Sequence, residues 1–227
     1  MKRTIKLFLG GGIIGGFLGF IIVKDAFTLP LYEIAMEMTL IILGIALLLT
    51  IGGFVKLAQL KKQSAQQFSG EDEDEQEEIL YKLYSDASLA STISLILSIV
   101  GACIAVITEQ PIIFQALSVP VILLAISLVP LVGNYIKFAY PNRDFPSYND
   151  KKYTKKLFEM SDEGERHIML QGLYSAFSTT NILLVSSLVL LMFYSVASGE
   201  SQLFAILIIT IILVVGNTQY FLKVRNR

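Results

Sequence analysis

The chain has 227 residues, of which 54% are hydrophobic and only 16% charged, with one histidine, one cysteine and a formal net charge of −1. So little polar surface cannot solvate a globule of this size, and a mean hydropathy of +0.63 assigns the chain to lipid rather than water. A lone His167 and a lone Cys103 exclude a His/Cys metal cluster and an internal disulfide, and the near-zero net charge speaks against a nucleic-acid partner.

A bilayer core of about 30 Å is crossed by roughly 20 apolar residues in a helix. Runs of near that length without Asp, Glu, Lys, Arg or His occur at 7–23, 38–55, 89–107, 112–136, 177–196 and 203–222, about half of the chain. Their unbroken apolar character predicts helices and not the alternating short strands of a barrel. The expected fold is all-α, a single polytopic membrane domain over 1–227 with six transmembrane helices.

In chain order, the first run follows Met-Lys-Arg but lacks a small-x-small site near Lys24-Asp25-Ala26, so it is expected to remain as a helix. Gly11, Gly15 and Gly19 recur every four residues along it, a flat face for close helix packing. The second run closes on Ile51-Gly52-Gly53. The third carries the milder small-residue stripe Ser94, Ser98 and Ala102, and its Cys103 is expected to be a small packed residue. Pro120 and Pro130 make the fourth run the candidate for a discontinuous helix, whose freed carbonyls would line a cavity or accept interhelical bonds. Asn134 lies near its end. Ser178, Thr179, Thr180 and Asn181 open the fifth run, and Asn217 comes near the end of the sixth. The asparagines, glycines and prolines are thus candidates for helix packing or for a cavity.

Of the 18 Lys and Arg residues, all except Lys24 fall in the tails or in the second-to-third and fourth-to-fifth connections. The positive-inside rule therefore places both termini and the connections 57–87 and 138–175 in the cytoplasm.

Those two connections share a phrase. Displacing the sequence by ninety positions aligns Asp72, Glu73 and Glu75 with Asp162, Glu163 and Glu165, then Leu80, Leu83, Tyr84, Ser85 and Ser88 with Leu170, Leu173, Tyr174, Ser175 and Ser178. The ends of the second, fourth and sixth runs agree as well, in Ile51-Gly52-Gly53, Val132-Gly133-Asn134 and Val215-Gly216-Asn217. Three parallel copies of a two-helix unit follow. In each long connection, acids occupy first turns where the helix dipole favours them, and an apolar stripe at helical spacing comes next. With no breaker before the membrane run, the third and fifth helices are expected to extend into the cytoplasm, 71–107 forming one rod of about 55 Å.

The segment YPNRDFPSYNDKKYTKKLFEMSDEGERHIMLQGLYS, residues 140–175, resembles a family of bacterial integral membrane proteins catalogued as a domain of unknown function. The resemblance implies a bacterial polytopic membrane protein and supplies no catalytic, cofactor or metal residues.

Function is read from what the runs lack. Coupled transporters generally place ionisable groups inside membrane helices, at about 2.5 kcal/mol or more each, and these six runs hold none. No phosphate-binding loop, dinucleotide fingerprint or nucleophile elbow is present. The expectation is a non-catalytic component of the bacterial inner membrane that needs no cofactor and acts in interaction, scaffolding or regulation. Beyond the lipid bilayer its partner would be a cytoplasmic or membrane protein, or a second copy through self-association. Candidate cytoplasmic contacts are Asp162, Glu163, Glu165, Arg166, Arg143 and Asp144. The alternative is a transporter of a small solute or lipid-like substrate, working through a cavity beside Pro120 and Pro130.

Overall fold

The computed structural model describes residues 32–65, 72–140, 143 and 153–225. The described regular structure is entirely helical: α1 (Ala35–Ser64), α2 (Asp72–Ile107), α3 (Ile112–Ala139), the short α4 (Tyr153–Met160), α5 (Glu163–Ser198) and α6 (Leu203–Arg225). All but α4 are long and apolar enough to cross a membrane, the mark of a multi-pass membrane protein. They contain five of the six expected spans. The sixth, 7–23 with Gly11, Gly15 and Gly19, lies outside the described residues.

Two compact units divide the chain, one spanning Pro30–Asp162 and the other containing Glu163–Arg227. In the first, α1, α2 and α3 all touch one another. The residues that α1 buries are Ala35, Thr39, Leu43, Ala46, Thr50, Gly53, Leu57 and Leu60, and α2 buries Leu80, Leu83, Ala87, Ser91, Ser94, Ser98, Gly101 and Ala105. Both series advance by steps of three and four, the period that keeps one seam facing neighbours crossing at a shallow angle. On α3 the seam runs through Ser118, Val121, Ala125, Leu128 and Val132.

These seams are built of small and hydroxylated side chains, because in lipid the apolar residues gain nothing by turning inward and close backbone approach supplies the attraction. Two glycines show how close. A Cβ on Gly53 would stand 2.6 Å from Leu128 Cδ2, and one on Gly101 would stand 2.8 Å from Leu43 Cδ2 and 2.9 Å from its Cγ. Larger residues, Leu57, Leu60, Leu80 and Leu83, close the core where the helices leave the apolar stretch.

The α2–α3 turn ends its helix with a Schellman pair: Gln110 N donates to the Ala105 carbonyl at 3.0 Å and Glu109 N to the Val106 carbonyl at 3.2 Å. Glu109 takes the left-handed conformation this requires, at φ 50°. Ninety residues on, Gly199 holds the same conformation at φ 73° after α5. The two hairpins match further, since α2 and α5 are both 36 residues long. Thr108 and Ser198, again ninety apart, both donate back four residues, to the Ile104 carbonyl at 2.7 Å and the Tyr194 carbonyl at 2.8 Å.

The expectation that α2 and α5 begin in the acidic phrases and run on without a break holds. The expected interruption of the fourth run does not occur: α3 is continuous through Pro120 and Pro130. Each proline still removes one i→i−4 bond, but both sit on exposed positions away from the seam, where the ring has room. Cys103, expected to be packed, is exposed on α2, because the seam passes through Gly101 and Ala105 on either side.

Candidate functional site

Hydroxyls are the most frequent polar groups in the bundle, and the helices satisfy many of them internally. Thr39 Oγ1 donates to the Ala35 carbonyl at 2.9 Å, Thr50 Oγ1 to Ala46 at 2.8 Å, Ser98 Oγ to Leu95 at 2.9 Å and Ser118 Oγ to Gln115 at 2.6 Å. Among the described residues no Asp, Glu, Lys, Arg or His is buried. Nor do the described residues include a group of three or more His, Cys, Asp or Glu side chains able to hold a metal ion.

At the α2–α3 turn the polar contacts become tertiary. Gln110, 7% exposed, donates through Nε2 to Thr39 Oγ1 and to Thr108 Oγ1, both at 3.0 Å, tying the start of α1 to the turn. Gln115 Nε2 donates to the Gln110 main-chain carbonyl at 2.8 Å. This network escaped the sequence reading because Thr39 stands 71 residues from Gln110 and nothing local links them.

In the other unit, α5 and α6 form an antiparallel hairpin. Asn217 Nδ2 donates to Asn181 Oδ1 at 2.6 Å, and Phe177 stacks on Tyr220 with ring centroids 4.8 Å apart. Each asparagine also donates to its own helix, Asn181 Nδ2 to the Phe177 carbonyl at 2.8 Å and Asn217 Nδ2 to Leu213 at 2.9 Å. Two of the three asparagines singled out from sequence are therefore brought together. The third, Asn134, is exposed on α3, and Ser178, Thr179 and Thr180 are exposed on α5.

Four of the charged candidates lie at the start of α5. Asp162 and Glu163 are exposed, while Glu165 and Arg166 are half-buried. Arg143 sits over the Tyr140 ring at 5.3 Å, and Asp144 lies outside the described residues. Glu75, Glu77 and Glu78 are exposed on the first turns of α2. Lys82, one turn on, bonds Glu78 at 2.6 Å; that hydrogen bond, and then its charge, hold the Glu78 carboxyl below its usual range and lift Lys82 above its own.

An ion pair joins α1 to α2. Lys56 Nζ on α1 lies 2.8 Å from Asp86 Oδ2 on α2. A signal for it existed in the sequence: Lys56 is the first charge after the apolar stretch of α1 and Asp86 the last before that of α2, so an antiparallel hairpin brings them level.

Over residues 1–224 the chain matches the model of the family described as Protein of unknown function (DUF3169). No curated protein and no solved structure matches it. A match across nearly the whole length settles membership: the chain belongs to the DUF3169 family.

Proposed function

We propose that this protein is a non-catalytic component of a bacterial inner membrane, with both termini in the cytoplasm and three parallel helical hairpins, acting as an interaction or regulatory partner through its helical extensions. The observation that carries the reading is the length of α2 and α5. At 36 residues each is about 54 Å long, well beyond the 30 Å or so of hydrocarbon, and the excess on each is the acidic start. A rigid rod holding Glu75 and Glu77, or Glu163, clear of the headgroups offers a charged face to a basic partner, which steers encounter and fixes orientation. The packed seams between α1, α2 and α3 support the same reading, since buried hydroxyls bonded within their own helices serve packing more than passage of a solute.

The test is affinity capture of the full chain from solubilised membranes after crosslinking in cells. A stoichiometric protein partner, lost in the combined variant Glu75→Lys, Glu77→Lys and Glu163→Lys, is the expected result. Solute uptake by the purified protein in liposomes would overturn it.

A further inference from the structure

Along the outer side of the α1–α2 pair runs a groove of about 280 Å3, lined on α1 by Leu48, Gly52 and Lys56 and on α2 by Asp86, Ala90 and Ile93. Its floor is low because it is made of Gly52 and Ala90. Gly52 differs from its neighbour Gly53: a Cβ at Gly53 collides with Leu128, whereas one at Gly52 meets nothing within 4 Å. Packing of the three helices thus accounts for Gly53 and leaves Gly52 open toward the groove. The apolar length from Leu48 to Lys56 is about 12 Å at 1.5 Å per residue. One end is apolar, and the other is closed by the Lys56–Asp86 ion pair, whose side chains are 41% and 55% exposed. Both residues border the apolar stretch of their helices, which sets the pair at headgroup depth.

We propose that this groove seats one zwitterionic aminophospholipid of the bilayer, an acyl chain lying over Gly52 and Ala90 and the headgroup spanning the ion pair. Charge complementarity selects the occupant. The bond between Nζ and Oδ2 uses one ammonium hydrogen and one carboxylate oxygen, so Lys56 retains donors for a lipid phosphate and Asp86 retains an acceptor for a lipid ammonium. A primary ammonium two carbons from its phosphate meets both. A trimethylated ammonium has no N–H for Asp86, and an anionic glycerol headgroup meets Asp86 with nothing to neutralise it.

Native mass spectrometry of the full chain from mild detergent tests this, with phosphatidylethanolamine, phosphatidylcholine and phosphatidylglycerol of identical acyl chains added in turn. One phosphatidylethanolamine per chain is expected to be retained, about five- to tenfold more tightly than either competitor. Asp86→Asn is expected to abolish that preference over phosphatidylcholine while leaving a lipid bound. Gly52→Phe, whose Cβ meets nothing within 4 Å and whose ring would occupy the groove, is expected to remove the retained lipid with the circular dichroism spectrum unchanged. Equal retention of the three lipids, a preference for phosphatidylglycerol, or unaltered retention in Gly52→Phe would overturn the assignment. So would conversion of a dimer to a monomer by Gly52→Phe with lipid retention unchanged, which would make the groove a contact between copies.

Discussion

Gly101→Ala puts the packing of α1 against α2 to a direct test. The added methyl would lie 2.8 Å from Leu43 Cδ2, 2.9 Å from Leu43 Cγ and 3.4 Å from Ile42 Cγ2. Leu43 is only 3% exposed, and because Cγ as well as a terminal methyl is struck, a rotamer change of the tip cannot relieve the clash; the helices must separate. Overpacking of this kind costs about 1–3 kcal/mol, against which alanine recovers up to about 1 kcal/mol of helix propensity over glycine. With the full propensity gain the net expected loss is about 0–2 kcal/mol. Gly52→Ala supplies the control: with nothing within 4 Å of its Cβ it keeps the propensity gain and should be neutral or stabilising. Titration of the purified protein with sodium dodecyl sulfate in mixed micelles, followed by far-ultraviolet circular dichroism, measures both. Leu43→Ala combined with Gly101→Ala should recover part of the loss, a coupling that independent sites would not show. If Gly101→Ala is as stable as Gly52→Ala, the close approach of α1 and α2 at this level is wrong.

Three further outcomes are expected. Asn217→Leu removes the 2.6 Å bond to Asn181 and should destabilise the α5–α6 hairpin by about 0.6–1.7 kcal/mol, with non-additivity against Asn181→Leu as the readout in a double-mutant cycle. Glu109→Gly relieves a left-handed residue with a Cβ at φ 50°, so it should stabilise the α2–α3 turn by about 1 kcal/mol in the same titration. Because the Glu78 carboxyl is depressed, its bridge to Lys82 stands above the ordinary glutamate range and is lost only as pH falls through the lowered value; carbon-13 NMR should find that midpoint below those of unpaired glutamates, and Lys82→Gln should raise it.

Five of the six expected spans were legible because length and charge-free composition are what a bilayer demands. Their ends were less so. A run that stops at the first charge ends the second helix at Val55, whereas α1 continues through Lys56, Lys61 and Lys62 to Ser64. Lysine and glutamine are good helix formers once outside the lipid, so most of the expected connection 57–87 is helix. Which face points inward was harder to read. In water the buried face is the apolar one, but in lipid both faces are apolar and the seam is marked by small residues at helical spacing, which Ser94 and Ser98 keep and Cys103, though small, does not. The prolines misled because a proline can delete one i→i−4 bond without ending a helix, and Pro120 and Pro130 point away from the neighbouring helices on the exposed face of a continuous α3. Asn181 and Asn217 were recognisable as polar groups in apolar runs, but their partnership needed the register of the hairpin.

Positions ninety residues apart on α2 and α5 differ in the size of the residues they carry. The α2 seam at Ala87, Ser91, Ser94, Ser98, Gly101 and Ala105 falls, ninety positions on, at Phe177, Asn181, Leu184, Leu188, Leu191 and Ser195, and those residues are the half-buried side of α5. The inward-facing stripe is therefore conserved between the two helices in position while its residues change from small to large. Small residues allow backbones to approach, and α2 makes close contact with both α1 and α3. Leucines stand at the corresponding positions of α5, and neither α5 nor α6 has a buried residue. Apolar packing in lipid scarcely distinguishes one leucine register from another, so the specific contacts inherit that task. Asn181 with Asn217 and Phe177 with Tyr220 fall on one antiparallel register, as does Ser195, whose Oγ accepts from Gln202 N at 3.3 Å across the turn. A single polar pair in an apolar seam fixes register by making every alternative leave an amide unsatisfied. The two helices are thus held differently, α2 against α1 by shape and α5 against α6 by hydrogen bonding.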